Sequence, residues 1–171
     1  MTRFLLGFLT AIVVLVVGGA AYLRLGFAPV ATASPPLPFE RLLTQMALHA
    51  RIDKEAPVSV PIKATDEAYM AGARTYRTHC AVCHGLPGEE PTAIAKGEFP
   101  KPPALFKGKG VTDDSAGETY WKVANGIRLT GMPGFTGSLT TDQMWQVSLL
   151  LANADKLPPA VNDALMEPLG Q

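Results

Sequence analysis

Apolar and polar positions divide the chain into one unbroken apolar block and several shorter periodic stretches. Residues Phe4 to Leu23, FLLGFLTAIVVLVVGGAAYL, are almost wholly apolar. At about 1.5 Å per residue they make a helix of about 30 Å, the thickness of a bilayer core. Arg3 precedes the block and Arg24 follows it. The competing reading is a cleaved signal peptide, whose apolar core runs to about 7–15 residues with a small-residue cleavage site close behind. This block is longer, and the A-x-A-like site Ala31-Thr32-Ala33 lies eight residues past its end. An uncleaved transmembrane anchor over residues 1–26 is the expectation.

Beyond the anchor, the pattern predicts a linker and then helices. Ser34-Pro35-Pro36-Leu37-Pro38 is stiff and extended, as proline-rich segments are. Phe39 to Lys54 carries Leu42, Leu43, Met46 and Ile52 near helical spacing, and Pro57 and Pro61 end it. Its apolar side is expected to pack on the following domain or to lie at the membrane interface. A sharper role, with Met46 or His49 approaching a cofactor, is the less economical reading. Thr65 to His79 predicts a better helix, with Thr65 or Asp66 as cap and Asp66 and Glu67 at its positive end. Gly72 inside it costs about 1 kcal/mol relative to alanine, which close approach of another helix would explain. Residues 89–110 have little periodicity and several breakers. Ser115 to Gly126 predicts a helix with Asn125-Gly126 as its stop. Thr140 opens the last one, and Gln143 three residues on completes a capping box. Pro158-Pro159 ends it, and residues 159–171 read as a loosely ordered tail.

Charge changes the picture only by exclusion. Fifteen basic residues balance fifteen acidic ones, so no nucleic-acid partner is implied. Cysteine usage says more. The chain has two cysteines, both in Cys80-Ala81-Val82-Cys83-His84. C-x-x-C-H is the pattern by which c-type haem is attached, each thiol forming a thioether and the histidine meeting the iron. A redox dithiol would want alternating strands and helices around it, which are absent from the pattern. A structural zinc site needs about four ligands, and His79, Cys80, Cys83 and His84 are too crowded in sequence to surround one metal easily.

Iron held by one histidine needs a sixth partner, water or an open position; methionine is a usual partner and suits electron transfer. Met132 lies in Gly131-Met132-Pro133-Gly134-Phe135, just before the last helix. Pro133 restricts Met132 to an extended backbone, and the flanking glycines allow close approach to a macrocycle. Ordinary core packing of Met132 is the alternative.

With these residues in place the chain resembles the monohaem type I cytochromes c, and most of all their bacterial membrane-anchored members. The resemblance spans roughly Ala64 to Leu157. It is carried by Gly72 and Tyr76, by Cys80 to Gly85, by Pro103-Ala104-Leu105, by Asn125 to Pro133, and by the helix bearing Trp145. It implies an all-α fold: crossed N- and C-terminal helices around one covalent haem c, plus the N-terminal transmembrane helix. The haem domain would be residues 64–158, after a linker at 27–63 and before a tail at 159–171. Gly72 and Tyr76 would cross the last helix near Trp145 and Leu149. Pro103, or its neighbour Pro102, would offer its carbonyl to His84 Nδ1, and Leu105 would pack on the haem face. His84 and Met132 would be the axial ligands. Val82, Leu105, Phe106, Ile127, Leu129 and Phe135 would help to bury the porphyrin.

The function implied is one-electron transfer rather than enzymatic catalysis, on the periplasmic side of a bacterial inner membrane, with residues 4–23 in the membrane. The partner would be a redox protein or membrane complex. Lys96, Lys101, Lys107 and Lys109 could steer docking to an acidic surface. Two other roles fit the same residues: a subunit of a larger dehydrogenase or oxidase complex, and a haem sensor or catalyst with a displaceable sixth ligand.

Overall fold

The computed structural model describes residues 1–107 and 113–167 of the 171-residue chain. Among these, every regular element is a helix. The chain divides into two compact units, Met1–Arg41 and Leu42–Gln171.

The first unit is dominated by α1, Thr2–Arg24, none of whose residues is buried. Twenty-three helical residues extend about 35 Å, enough to cross a bilayer core. Among the described residues α1 is the one helix long and apolar enough for this, and it is compatible with a transmembrane anchor.

In the second unit, α3 (Asp66–His79) and α7 (Thr141–Ala152) cross as the central pair. Thr65 caps α3, its side chain accepting from Ala68 N–H at 3.2 Å. A reciprocal capping box of Thr140 and Gln143 starts α7. The crossing is close because α3 presents Gly72 to the α7 backbone. A Cβ at Gly72 would meet the Gln146 carbonyl group, with the carbonyl carbon at 2.8 Å and Leu150 Cβ at 3.1 Å. The contact therefore falls at Gln146 and Leu150, one position along from the expected Trp145 and Leu149. The reason is that Trp145 faces the other way. Its ring stacks on Tyr120 of α6 (Ala116–Asn125) at 4.1 Å between centroids. With Ala116 and Leu149 it forms a second, smaller apolar cluster.

The main core gathers Ala73, Tyr76, Ala81, Leu86, Val123, Met144, Val147 and Leu150. It also includes Val161 and Leu165 of α8, Pro159–Met166. Residues 159–166 are thus a packed helix on α3 rather than a loose tail. Pro159 sits in the first turn, where its missing N–H costs nothing, so the proline pair opens a new helix as well as closing the old one. Arg77 of α3 fixes the far end, donating to the carbonyls of Ala164 and Leu165 at 2.9 and 3.3 Å and also to that of Glu167.

Helix α2, Glu40–Glu55, is not a free linker element at its C-terminal end. Ile52 is buried, Trp121 Nε1–H donates to Glu55 at 3.1 Å, and the Pro57 carbonyl lies directly on Gly117 of α6. Two short helices follow: α4 (Ala81–His84) spans the C-x-x-C-H stretch, and α5 (Ala93–Gly97) stands in the segment of little periodicity. Thr92 caps α5, accepting from Ala95 N–H at 3.1 Å.

Candidate functional site

Helix α3 runs directly into the C-x-x-C-H stretch. Cys80 is both the C-cap of α3 and the N-cap of α4, so both cysteines and His84 ride on one helical turn. Gly85 ends that turn at φ +75°, a conformation open to glycine at no steric cost. Its carbonyl accepts a hydrogen bond from the Tyr76 hydroxyl at 2.6 Å. Tyr76 is fully buried and meets Phe106 edge-to-face at 4.9 Å. The core of α3 therefore holds the exit of the motif in place.

The two thiols are unpaired. Burial, with a smaller contribution from Cys83, pushes the Cys80 thiol up to about 12. Burial raises Cys83 as well, helped by Glu98, whose carboxylate accepts from Sγ at 3.2 Å. His84 is shifted downward, chiefly by burial, while the Pro103 carbonyl and Glu98 oppose that shift. Its Nδ1 lies 2.8 Å from the Pro103 carbonyl oxygen. An Nδ1–H donor there fixes the ring and leaves Nε2 as the nitrogen available to a metal. Among the described residues no group of three or more His, Cys, Asp or Glu is arranged to hold a metal ion.

The Met132 loop is pinned to the end of α6. Ile127 N–H donates to the Met132 carbonyl at 3.1 Å, Met132 N–H to Thr130 Oγ1 at 3.1 Å, and Phe135 N–H to the Val123 carbonyl at 2.9 Å. Met132, Leu105, Phe106 and Phe135 are half-buried and pack against the main core, as does Cys80. Glu98 joins the two halves of the site. Its carboxylate touches Cys83 and also lies against Gly131, where a Cβ would sit 2.8 Å from it. Sequence reasoning missed Glu98; it follows α5 in a stretch without pattern, and nothing local marks it.

The remaining residues singled out in the sequence are placed as follows. Leu129 is 85% exposed, with φ +61°, and Val82 is 41% exposed; Ile127 is half-buried. His49 and Met46 are exposed on α2. Lys96, Lys101 and Lys107 are exposed, and Lys109 lies outside the described residues.

The donor set suits a covalent haem. It has two reduced thiols three residues apart on one turn, an adjacent imidazole already oriented through Nδ1, and apolar side chains from α3, residues 105–106 and the Met132 loop. An all-helical frame with this arrangement is that of a c-type cytochrome domain. The comparison with known families agrees: residues 67–149, just under half of the chain, match the family model described as cytochrome C oxidase, cbb3-type, subunit III. No curated protein matches the chain. Among solved structures, a chain of the Kuenenia stuttgartiensis reducing HAO-like protein complex is similar, at 24% identity and a TM-score of 0.49. The match covers 58% of this chain and 49% of that one, so the protein spans about half of that neighbour's length.

Proposed function

We propose that this protein is a membrane-tethered one-electron carrier. Cys80 and Cys83 would hold one haem c by thioethers, and His84 and Met132 would be the residues that bind its iron. α1 is the anchor, and the haem domain faces the periplasm of a bacterial inner membrane. The observation that carries this reading is the convergence at Glu98. One carboxylate touches both the attachment turn, at Cys83, and the loop of Met132, at Gly131. That supports a single site between the two candidate ligands.

Bound haem supplies the one-electron Fe(II)/Fe(III) couple, and the chain supplies position and environment. Pro103 orients His84 through Nδ1 and raises its basicity. Leu105, Phe106 and Phe135 exclude water from the site. Lys96, Lys101 and Lys107 favour approach of an acidic redox partner.

A second reading is a cytochrome subunit of a larger oxidase or dehydrogenase complex. The match to a family described as an oxidase subunit favours it. Purification in mild detergent separates the two: a free carrier elutes alone, a subunit elutes with its complex.

The central test is the spectrum of the purified full chain. Covalent haem survives denaturation, and a methionine-bound ferric iron gives a weak far-red band. Met132→Ala should keep the covalent haem, lose that band and bind carbon monoxide rapidly. An unchanged spectrum in that variant rejects Met132 as ligand. Haem released on denaturation rejects the whole assignment.

A further inference from the structure

Helix α2 carries two apolar faces, and only one has a partner in the domain. Leu48 and Ile52 are four positions apart and share a face. Ile52 is buried, and the C-terminal end of α2 is held on α6 through Glu55–Trp121 and Pro57–Gly117. Leu43 and Ile52 are nine positions apart, about two and a half turns, which puts them on opposite sides of the helix. Leu42, Leu43 and Met46 form that second face, and they are 54%, 62% and 61% exposed. The sequence pattern merges Leu42, Leu43, Met46 and Ile52 into one apolar side; the structure separates Ile52 from the other three.

Chain length says what lies near the outward face. The 15 residues between α1 and α2 reach at most about 50 Å when fully extended. If α1 is embedded, the N-terminal end of α2 stays within about 50 Å of the bilayer surface. A tether of that length also keeps the local concentration of lipid high, which lowers the affinity that a small apolar patch needs. The helix holds three basic and three acidic residues, Arg41, Arg51 and Lys54 against Glu40, Asp53 and Glu55. A neutral helix gains nothing from anionic headgroups, so insertion of apolar side chains at the interface is the attraction available to it.

We propose that α2 lies on the bilayer through Leu42, Leu43 and Met46 while its opposite face, at Leu48 and Ile52, holds the cytochrome domain. The helix is then a spacer with a lipid side and a protein side. It turns the α6 side of the domain toward the membrane and limits how freely the domain swings on its linker. This inference rests on α1 being an anchor.

The test uses the haem-loaded, reduced full chain in phosphatidylcholine nanodiscs, with a nitroxide attached in turn at Met46→Cys, Leu43→Cys, Gln45→Cys and Val13→Cys. Collisions with oxygen report lipid, and collisions with a nickel chelate report water. The expected result is an oxygen-to-nickel ratio severalfold higher at positions 43 and 46 than at position 45, and highest at position 13. If position 13 is in lipid but 43 and 46 collide freely with nickel, the α2 proposal fails alone. If position 13 is in water, the anchor reading fails and the proposal with it. Low collision with both reagents at 43 and 46 means that protein, such as a second copy, covers this face, and that also overturns it.

Discussion

Replacing Gly72 with alanine sets two effects against each other, and the structure fixes the sign. Helix propensity alone favours alanine by about 1 kcal/mol. Packing opposes it. The new methyl would sit 2.8 Å from the Gln146 carbonyl carbon and 3.1 Å from Leu150 Cβ, with the carbonyl oxygen nearer still. Carbon atoms in contact prefer about 3.5–4.0 Å. The obstructing group is backbone in the middle of α7, so it cannot rotate aside as a long side chain would. The two helices must part, and the buried neighbours Ala73, Tyr76, Val147 and Leu150 loosen with them. Overpacking of this kind costs about 1–3 kcal/mol, and more when backbone must move. The expected net loss is about 1–2 kcal/mol, or roughly 4–10 °C in Tm for a domain of this size. Urea and thermal unfolding of the haem-loaded protein would measure it. Gly97→Ala is the control, because nothing lies within 4 Å of its added methyl. A Gly72→Ala protein as stable as the parent, or more so, would refute the close-crossing argument.

Further variants probe the frame around the site. Tyr76→Phe removes the hydroxyl that donates to Gly85, and should cost about 1–2 kcal/mol in denaturant unfolding while leaving covalent haem in place. Burial holds the Tyr76 phenol far above its usual value. A raised folded-state pKa gives stability that is complete below pH 10 and is lost as pH climbs above it, so the parent should weaken there more steeply than Tyr76→Phe. Thr140→Ala breaks the capping box of α7 and should cost about 1 kcal/mol, with Thr140→Ser largely restoring it. Arg77→Ala removes the donor that closes α8; hydrogen exchange should quicken across residues 160–166 before it changes in α7, and equal protection in both proteins would reject the tie.

Much of this molecule is legible in the sequence because its longer helices announce their own ends. Thr65, Ser115 and Thr140 each stand as an N-cap in the structure, and the reciprocal partners Glu118 and Gln143 lie three residues on. A cap is a local interaction, so a local reading finds it. Helix α8 was hidden for the opposite reason. Two prolines end one helix and begin the next by the same covalent constraint, and only the burial of Val161 and Leu165 against α3 decides which. The two faces of α2 were hidden because periodicity counts apolar residues without saying what each side meets. Among the candidate site residues, Cys80, Cys83 and His84 are marked by spacing, and Met132 by its glycines and proline. Glu98 carries no such mark.

Glu98 also changes how the Met132 loop is understood. In sequence, Gly131 looks like a residue that gives the loop freedom. In the structure the Glu98 carboxylate lies against it, and an added Cβ would sit 2.8 Å from that side-chain end and push it aside. At Gly126 and Gly134 the obstacle is firmer, since an added Cβ would strike the facing backbone at 2.5 to 2.8 Å. The loop is kept narrow by these contacts and by Ile127 donating to the Met132 carbonyl. A methionine in such a loop has few places to go. It is half-buried and packs against the same core as Cys80, Leu105 and Phe106. If Met132 is the iron ligand proposed above, its position is set by the packing of α6, residues 126–134 and Glu98.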